Sequence, residues 1–392
     1  MKTFRIERRL GLNKSVHSDG RTFFSFTLPG YPSKAFDFAV ARGALNSGGA
    51  GTSAKRHVDN VILGVSSRCE YACAHCYEKR NIRAEERISV QRWEEVIRDL
   101  QEIGVSLVIL SGGEPMTRYA DVLQLVRHGD KDRSDFHLHT SGFGVTLERA
   151  KELKNAGLSA AAVGLDDVDP KRLGALRGKP GAFDTATAAL ECFNRAGILT
   201  YLNLCLTPAF VRSGGLWEYF ERARQWGVGL VEILEPRPCG GFQGCSMETL
   251  LSPLDRESVA EFVRQGNHRR RYRNYPLLYS IAEMESPEAM GCMMGGLSHF
   301  SIDSAGNVIP CVFVPISFGN ILSEDLPAIF ARMRKAIPRP IRSGCGSVLL
   351  ADLFADVAGR KTTHYNDLED AWSERLHRSP IGPHSTSDAH PR

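Results

Sequence analysis

The chain has 392 residues, of which 42% are hydrophobic and 24% are charged, and its formal net charge is +4. This length allows one large α/β unit or two to three smaller ones, and the near-balanced charge argues against a protein dominated by nucleic-acid or membrane-surface binding. The basic N-terminus is followed by no apolar segment of signal-peptide length, and no stretch approaches the run of about 20 apolar residues that a membrane span requires. We therefore predict a cytoplasmic protein with reduced cysteines.

Residues 1–57 show no regular alternation and contain the Gly/Ser-rich stretch 46–53, so we predict an N-terminal extension that ends in a linker. Over residues 58–240, β-rich runs alternate with amphipathic helical patterns. The predicted strands are 58–65, 105–110, 135–140, 158–165, 198–207 and 228–235. The predicted helices between them are 90–103, 119–128, 147–155, 183–196 and 217–226. This α/β pattern predicts a parallel sheet, doubly wound or curled toward a barrel, with functional residues at the C-terminal ends of the strands.

The pattern changes after residue 240. Residues 241–284 are predicted to form a helical connection with a helix from Asp255 to Gln265, and residues 299–314 suggest a hairpin whose turn contains Ala-Gly-Asn. We predict a second, smaller α+β unit over 285–360. Residues 378–392 are polar, contain proline and are predicted to be disordered.

Three cysteines, Cys69, Cys73 and Cys76, follow the first predicted strand in C-x3-C-x2-C spacing. Cysteine thiolates bind iron-sulfur clusters, and three of them can hold three irons of a cubane and leave the fourth iron open. A closed zinc site usually pairs two C-x2-C units or adds histidines at a set spacing, and neither is nearby. His75 lies inside the motif but is poorly placed to bind the same metal. The spacing favours a cluster, with a zinc site or unrelated thiols as the alternatives.

The triplet, with His75 before its last cysteine, resembles the signature of the radical S-adenosylmethionine (SAM) enzymes. The second predicted strand ends in LSGGEP, which is similar to that superfamily's GGEP motif. Gly112 and Gly113 would let the backbone approach a ligand, and Glu114, followed by Pro115, would offer a carboxylate to the amino group of SAM. Without the cysteines, an ordinary strand-to-helix turn would be the better explanation of this segment.

This resemblance implies a fold and a chemistry. The fold would be a partial (β/α)6 TIM-like barrel. A 4Fe-4S cluster, reduced by one electron, would cleave bound SAM to a 5′-deoxyadenosyl radical that abstracts a hydrogen atom from the substrate. The protein would supply positioning and a site dry enough to protect the radical.

Two later segments extend the resemblance. FHLHTSG (136–142) is similar to the family's T-N-G segment, with Ser141 in place of asparagine. VGLDDVDPKRLGALRG (163–178) is similar to its S-L-D element and downstream Arg-Gly, with Gly164 in place of serine. The resemblance implies that Ser141 and Asp166 bind the cofactor, whereas Gly164 lacks the hydroxyl for a ribose contact. A helix cap or loop carboxylate is the alternative for Asp166.

A second cysteine set stands near the C-terminus, with Cys292, Gly306 and Cys311 in C-x13-G-x4-C spacing and Cys345 further on. It resembles the start of the SPASM and twitch domains of radical SAM enzymes, which hold auxiliary iron-sulfur clusters. A complete SPASM module has a dense later group of cysteines, of which only Cys345 is present, so the resemblance implies one auxiliary cluster. Its fourth ligand is unassigned: substrate, water, another side chain or a distant thiol. Three unrelated buried thiols are the alternative.

Four more cysteines and one basic run remain. Cys239 and Cys245 follow the sixth predicted strand, near the mouth of the predicted site, and are candidate catalytic residues. Each could be a fourth cluster ligand, a hydrogen donor to a product radical, or a loop thiol without such a role. Cys192 and Cys205 fall in helix and strand patterns and are predicted to be core. The run HRRRYRNY (268–275) is predicted to be a solvated helix end or loop, with nucleic-acid or acidic-peptide binding as the alternative.

Together these features predict a radical SAM enzyme, an oxidoreductase or maturase, with a twitch/SPASM-like auxiliary-cluster domain. A ribosomal peptide is the predicted substrate. The alternatives are a small-molecule or cofactor precursor of quinone, haem or molybdenum-cofactor type, a tRNA, or a non-catalytic electron-transfer role. The expected partner is a one-electron donor such as flavodoxin or ferredoxin, with no membrane and no nucleic acid.

Overall fold

The computed structural model describes residues 14–24, 27–44, 57–355 and 363–377. The predicted linker and the predicted disordered tail lie outside these residues. The strands are β1 (Val16–Ser18), β2 (Arg21–Phe23), β3 (Val58–Ser66), β4 (Val105–Gly112), β5 (Asp135–Thr140), β6 (Leu158–Gly164), β7 (Leu199–Cys205), β8 (Leu230–Leu234), β9 (Leu277–Ser280), β10 (His299–Ile302), β11 (Val308–Ile309), β12 (Ile316–Ser317) and β13 (Thr363–His364).

Helices follow most of these strands. They are α1 (Lys34–Ala41), α2 (Val90–Ile103), α3 (Tyr119–His128), α4 (Leu147–Ala156), α5 (Pro170–Arg177), α6 (Ala182–Arg195), α7 (Pro208–Arg212), α8 (Leu216–Gln225), α9 (Pro253–His268), α10 (Ile281–Met284), α11 (Leu326–Ala336), α12 (Gly346–Leu349), α13 (Ala351–Ala355) and α14 (Glu369–His377). None of the helices in the described part of the chain is long and apolar enough to cross a bilayer.

A nine-stranded sheet forms the centre of the molecule, in the order β11-β10-β3-β4-β5-β6-β7-β8-β9. Neighbouring strands from β10 to β9 are parallel, and β11 alone runs antiparallel, at one edge. The six predicted strands are β3 to β8, and they pair in chain order. The predicted α/β class is therefore confirmed.

Helix α2 shows how the sequence sets these crossovers. Ser89 caps its first turn by accepting a hydrogen bond from the Arg92 backbone N–H, and Gly104 ends it in the left-handed region at φ 102°. Between the caps, apolar residues at helical spacing, Trp93, Val96, Ile97 and Leu100, are buried against the sheet. The chain then enters β4 directly after Gly104.

The N-terminal extension closes one end of the curved sheet. The β1–β2 hairpin places Phe23, which is 2% exposed, against inward-facing residues of β6 to β9: Ala160, Ala162, Leu199, Tyr201, Leu230, Leu277 and Tyr279. Arg21 forms an ion pair with Asp135 at the start of β5, in which Nη1 donates to both carboxylate oxygens, at 2.9 and 3.0 Å. The segment thus lies at the N-terminal ends of the strands, opposite the predicted site.

The C-terminal unit is joined to the main sheet. The predicted hairpin is confirmed: β10 and β11 pair antiparallel around a turn in which Gly306 has φ 90°. In addition, β10 lies parallel to β3, so residues far apart in sequence become neighbours. The strand β9, inside the predicted helical connection, extends the opposite edge of the sheet and was not predicted from the sequence.

Candidate functional site

One cavity of about 310 Å³ lies inside the curved sheet and extends past the C-terminal ends of its strands. Its volume is at the lower end of the range usual for ligand pockets. Two predicted cysteine sets face this same cavity: Cys69, Cys73, Cys76, Cys292, Cys311 and Cys345. The fold therefore brings together two motifs that are separated by more than half of the chain.

The first cysteine set lies on the loop after β3. The backbone N–H groups of Ala72 and Ala74 donate hydrogen bonds to the C-terminal end of α5, at 3.1 and 2.9 Å. Burial raises the pKa of Cys69 to about 11 and the pKa of Cys76 to about 12. The free thiols are therefore neutral, and loading a metal would release their protons.

The predicted glycines make room for this loop. Gly112 has φ 121°, and a Cβ atom there would lie 2.4 Å from the carbonyl oxygen of Ser66. A Cβ atom on Gly113 would lie 2.4 Å from the carbonyl oxygen of Arg68. Both glycines also line the cavity. They allow the end of β4 to lie directly on the beginning of the cysteine loop. The lack of side chains at these two glycines is therefore needed for packing against the backbone of that loop as well as for contact with any ligand.

Glu114 is completely buried, and both oxygens of its carboxylate accept hydrogen bonds from other residues of the protein. One oxygen accepts hydrogen bonds from the Thr140 hydroxyl at 2.7 Å and the Met116 backbone at 3.0 Å. The other accepts from the backbone and hydroxyl of Ser141, at 2.8 and 2.5 Å. Three of these bonds tie the end of β4 to the end of β5. The fourth, from Met116, lies within the buried 3-10 turn that begins at Pro115. A contact between Glu114 and SAM stays a prediction, since it would need one of these bonds to be given up.

Asp166 joins three elements at the cavity wall. One oxygen accepts a hydrogen bond from the Cys205 backbone at 2.9 Å, and the other forms an ion pair with Arg177 at 2.5 Å. His75 Nε2 lies 3.6 Å from the same oxygen, and burial lowers the pKa of His75. A Cβ atom on Gly164 would lie 2.5 Å from the Arg177 guanidinium. The departure from serine at this position therefore makes space for Arg177, which is the arginine of the downstream Arg-Gly pair and lines the cavity.

The second cysteine set is assembled by backbone pairing. Cys292 and Ile341 exchange two backbone hydrogen bonds of 2.9 and 3.0 Å, which brings the segment before Cys345 beside Cys292. The interaction between the Cys292 and Cys345 thiols raises the pKa of Cys292 and lowers the pKa of Cys345. Desolvation raises the pKa of Cys311.

The two loop cysteines after β8 differ in position. Cys239 is buried and lines the cavity, whereas Cys245 is half-buried and does not line it. Cys205, predicted to be core, also faces the cavity. Cys192 lies on α6, away from the cavity.

The inner part of the cavity carries polar residues that the sequence did not reveal. His139 Nε2 lies 2.8 Å from the Tyr201 hydroxyl, and His139 Nδ1 lies 3.3 Å from the Asn203 amide. Burial lowers the pKa of His139 to about 3. Beside them stands Glu232, whose carboxylate has no hydrogen-bond or ion-pair partner among the described residues and whose pKa burial raises to about 7. The sequence pattern that could have revealed these residues is a polar residue at alternate positions of an otherwise apolar strand.

The basic run 268–275 uses its aromatic residues for packing. Tyr272 stacks on Trp217 with ring centroids 4.9 Å apart, and Tyr275 contacts Phe220 at 4.8 Å. Neither ring is free to stack on a base, although Arg271 and its neighbours are exposed. This arrangement fits the prediction of a solvated helix end or loop, since the run follows the end of α9.

Family models match two parts of the chain. Residues 63–211 match the radical SAM superfamily, and residues 292–344 match the SPASM iron-sulfur cluster-binding domain. The chain therefore carries a radical SAM domain and a SPASM domain, as predicted. It is thus an enzyme whose cofactors are a 4Fe-4S cluster, SAM and auxiliary iron-sulfur.

Curated relatives include two kinds of enzyme. An AdoMet-dependent heme synthase of Methanosarcina barkeri is 25% identical over 313 residues, which cover 73% of this chain and 87% of the relative. A PqqA peptide cyclase of Streptomyces rochei is 27% identical over 257 residues, which cover 64% of this chain and 68% of the relative. The substrate class is therefore not determined by these similarities.

Solved structures share the fold. Streptococcus suis SuiB bound to precursor peptide SuiA has a TM-score of 0.59 at 17% identity, covering 75% of this chain and 73% of SuiB. The enzyme anSMEcpe with bound AdoMet and the Cp18Cys peptide has a TM-score of 0.54 at 17% identity, covering 81% of this chain and 96% of that enzyme. At this identity the likeness is one of fold.

The residues at the cavity fit these cofactors. Two groups of three thiols supply the soft donors that iron-sulfur clusters use. Within residues 14–24, 27–44, 57–355 and 363–377, no three His, Cys, Asp or Glu side chains are arranged to hold a single metal ion. An iron-sulfur cluster does not need such an arrangement, because each of its thiolate ligands binds a different iron. His75 Nδ1 is buried at the cavity wall and has no hydrogen-bond partner in the described part of the chain, so a polar ligand would satisfy it.

Proposed function

We propose that this enzyme modifies a peptide, with Cys69, Cys73 and Cys76 holding the cluster that binds SAM. In the same proposal Cys292, Cys311 and Cys345 hold an auxiliary cluster. The single observation that carries it is that both thiol sets face one cavity at the C-terminal ends of parallel strands. When bound and reduced, the first cluster and SAM supply hydrogen-atom abstraction from the substrate.

The residues of the chain have distinct tasks in this proposal. Arg177, held by Asp166, places a positive charge beside Cys73 and fixes the wall of the SAM pocket. Ser141 and the glycines of the GGEP segment line the same pocket. Glu114 keeps the ends of β4 and β5 in register through its buried hydrogen bonds, and its predicted contact with SAM remains part of the proposal.

The peptide substrate is supported by the PqqA peptide cyclases among the relatives and by the two peptide-bound structures of similar fold. It is also supported by the inner cavity. Glu232 presents an unpaired, desolvated carboxylate there, which favours a substrate group that carries positive charge or N–H donors. A lysine, arginine or amide side chain of a peptide provides such a group.

A small-molecule substrate is the second candidate, because the heme synthase relative is matched over more of the chain than the peptide cyclase. Glu232 argues against substrates rich in carboxylates, since two like charges in a desolvated cavity repel each other. In either case a one-electron donor, such as flavodoxin or ferredoxin, is required to reduce the first cluster.

The test is anaerobic reconstitution of the full chain with iron and sulfide, followed by incubation with SAM and dithionite. We expect 5′-deoxyadenosine, measured by liquid chromatography with mass detection, and its loss in Cys69→Ala, Cys73→Ala and Cys76→Ala. The matched control is Cys192→Ala, which removes a thiol outside the cavity. Protein that loads iron and sulfide but forms no 5′-deoxyadenosine would support the non-catalytic electron-transfer alternative instead.

The substrate class is tested separately with the active enzyme. Candidate short peptides encoded beside the gene are supplied in deuterated form, and deuterium in 5′-deoxyadenosine is measured. Transfer from a peptide supports the proposal. Transfer only from a small-molecule precursor overturns the peptide assignment and leaves the radical chemistry intact.

A further inference from the structure

Glu232 differs from the other acidic residues at the wall of the cavity. Three further carboxylates line the cavity, and each is paired with a basic side chain: Asp166 with Arg177 at 2.5 Å, Glu235 with Arg237 at 3.5 Å, and Glu285 with His299 at 3.4 Å. Glu232 makes no hydrogen bond or ion pair with any residue that the structure describes. The charge of its ionised carboxylate is therefore not offset by any of these residues.

The pairing of the strands separates Glu232 from the nearest buried guanidinium. Asn203 on β7 is the register partner of both Gly164 on β6 and Glu232 on β8, and all three residues line the cavity. The Arg177 guanidinium packs beside Gly164. Because neighbouring strands lie about 4.8 Å apart, the backbones of Gly164 and Glu232 are about 10 Å apart across the sheet. Glu232 and Asn203 therefore lie side by side on a part of the wall that Arg177 does not neutralise.

The polar residues beside Glu232 form a hydrogen-bond chain of their own. The Asn203 Nδ2 group can only donate, so its contact with His139 Nδ1 at 3.3 Å makes that nitrogen the acceptor. In a neutral imidazole the other nitrogen carries the proton, and His139 Nε2 thus donates to the Tyr201 hydroxyl at 2.8 Å. The Tyr201 hydroxyl in turn donates to His137 Nδ1 at 3.2 Å. This chain runs toward β5, and the buried Asn203 Oδ1 is left without a hydrogen-bond partner in the described residues.

We propose that Glu232 and Asn203 form a subsite for the cationic head of a lysine or arginine side chain of the substrate. The inference rests on the proposed function, in which the substrate is a peptide, and it narrows the bound group to a charged one. A carboxylate forms stronger hydrogen bonds with an ammonium or guanidinium group than with a neutral amide. An uncharged side chain would leave the carboxylate desolvated and without a counter-charge. Asparagine and glutamine side chains should therefore bind poorly.

The position of Glu232 within its strand fits a long side chain. Glu232 lies two residues before Leu234, the last residue of β8, and a strand rises about 3.3 Å per residue, so about 7 Å separate the two. A lysine or arginine side chain spans roughly 6–7 Å from its Cα atom to its charged group. The peptide backbone can thus stay at the C-terminal ends of the strands. Leu234 lines the cavity above Glu232 and offers an apolar surface to the methylene groups of such a side chain.

The experiment measures the binding of small probes to the full chain, reconstituted with iron and sulfide and supplied with SAM. The probes are the N-acetyl amides of lysine and arginine, and those of norleucine and citrulline are their uncharged counterparts. Anaerobic isothermal titration calorimetry gives the dissociation constants. We expect at least one charged probe to bind about 10- to 100-fold more tightly than its uncharged counterpart, and Glu232→Gln to abolish this preference. Glu257→Gln, at an exposed position on α9, is the matched control and should retain it.

Equal affinity of the wild type for charged and uncharged probes overturns the subsite, and this comparison depends on no variant. A Glu232→Gln protein that keeps the preference for charge also overturns it, because the cation would then bind elsewhere. Weaker binding of SAM by Glu232→Gln, measured without a probe, would assign the carboxylate to the cofactor and overturn the inference as well. The same preparation is assayed for 5′-deoxyadenosine: its formation shows that the proposed radical chemistry stands when the subsite fails, and its absence is a failure of the proposed function itself.

Discussion

Replacing Glu232 by glutamine should change the pH dependence of stability. Burial raises the pKa of Glu232 from 4.5 to about 7, and its carboxylate has no partner in the described residues to offset the cost of ionisation. A carboxyl group with a raised pKa in the folded state stabilises the fold when protonated. Stability is therefore lost as the pH rises from about 4.5 to about 7, and the loss is complete above that range.

The size of the effect follows from the two pKa values. A rise from 4.5 to about 7 corresponds to about 3 kcal/mol of destabilisation once the group is ionised in both states. At pH 5 most of this penalty has not yet developed. The stability advantage of Glu232→Gln over the wild type should thus be about 2 to 3 kcal/mol larger at pH 8 than at pH 5.

The assay is urea unfolding of the cofactor-free protein at both pH values, followed by circular dichroism. Comparing the two pH values cancels the constant cost of placing an amide in the cavity. Glu257→Gln, an exposed position on α9, is the control and should show no such difference. The same advantage at pH 5 and pH 8 would refute the reasoning, since it would mean that Glu232 is solvated like a surface residue.

Three further substitutions probe the described geometry. Glu114→Gln should lower the free energy of unfolding of the cofactor-free protein by about 1–3 kcal/mol, measured by urea titration, because one backbone N–H would face the new amide group. The control is Glu148→Gln at an exposed position, which should leave the free energy of unfolding unchanged. Gly164→Ser should lower the free energy of unfolding by about 1–3 kcal/mol, because the new side chain would crowd Arg177. A double-mutant cycle with Arg177→Ala should show coupling between the two positions, and strictly additive effects would exclude the crowding. Phe23→Ala should cost about 3–5 kcal/mol in thermal or urea unfolding, and a loss below 1 kcal/mol would show that Phe23 does not fill the end of the sheet.

The sequence was most informative where the signal is local. The strands β3 to β8 were predictable because apolar and β-branched residues recur through each of them and helical patterns separate them along the chain. The strand β9 has only four residues, and the pairing of β10 with β3 joins segments that lie far apart in the chain. No short-range pattern specifies either feature.

The same contrast applies to the site. Cys69, Cys73 and Cys76 are concentrated in one loop, so their chemistry could be inferred before the fold was known. His139 and Glu232 contribute one side chain each from separate strands, and only the curvature of the sheet brings them to one cavity. The distinction between Cys239 and Cys245 likewise depends on burial, which their shared sequence context does not reveal.

The seal that Phe23 forms at the N-terminal ends of the strands has a kinetic consequence. Because Phe23 packs on the residues of β6 to β9 at this end, we expect molecules to reach Glu232 from the opposite end, past the cysteine loops. The ligand that occupies the inner part of the cavity must therefore arrive before the outer ligand and depart after it. We expect compulsory-order kinetics for SAM and the substrate, with inhibition at high concentration of whichever molecule binds nearer the mouth.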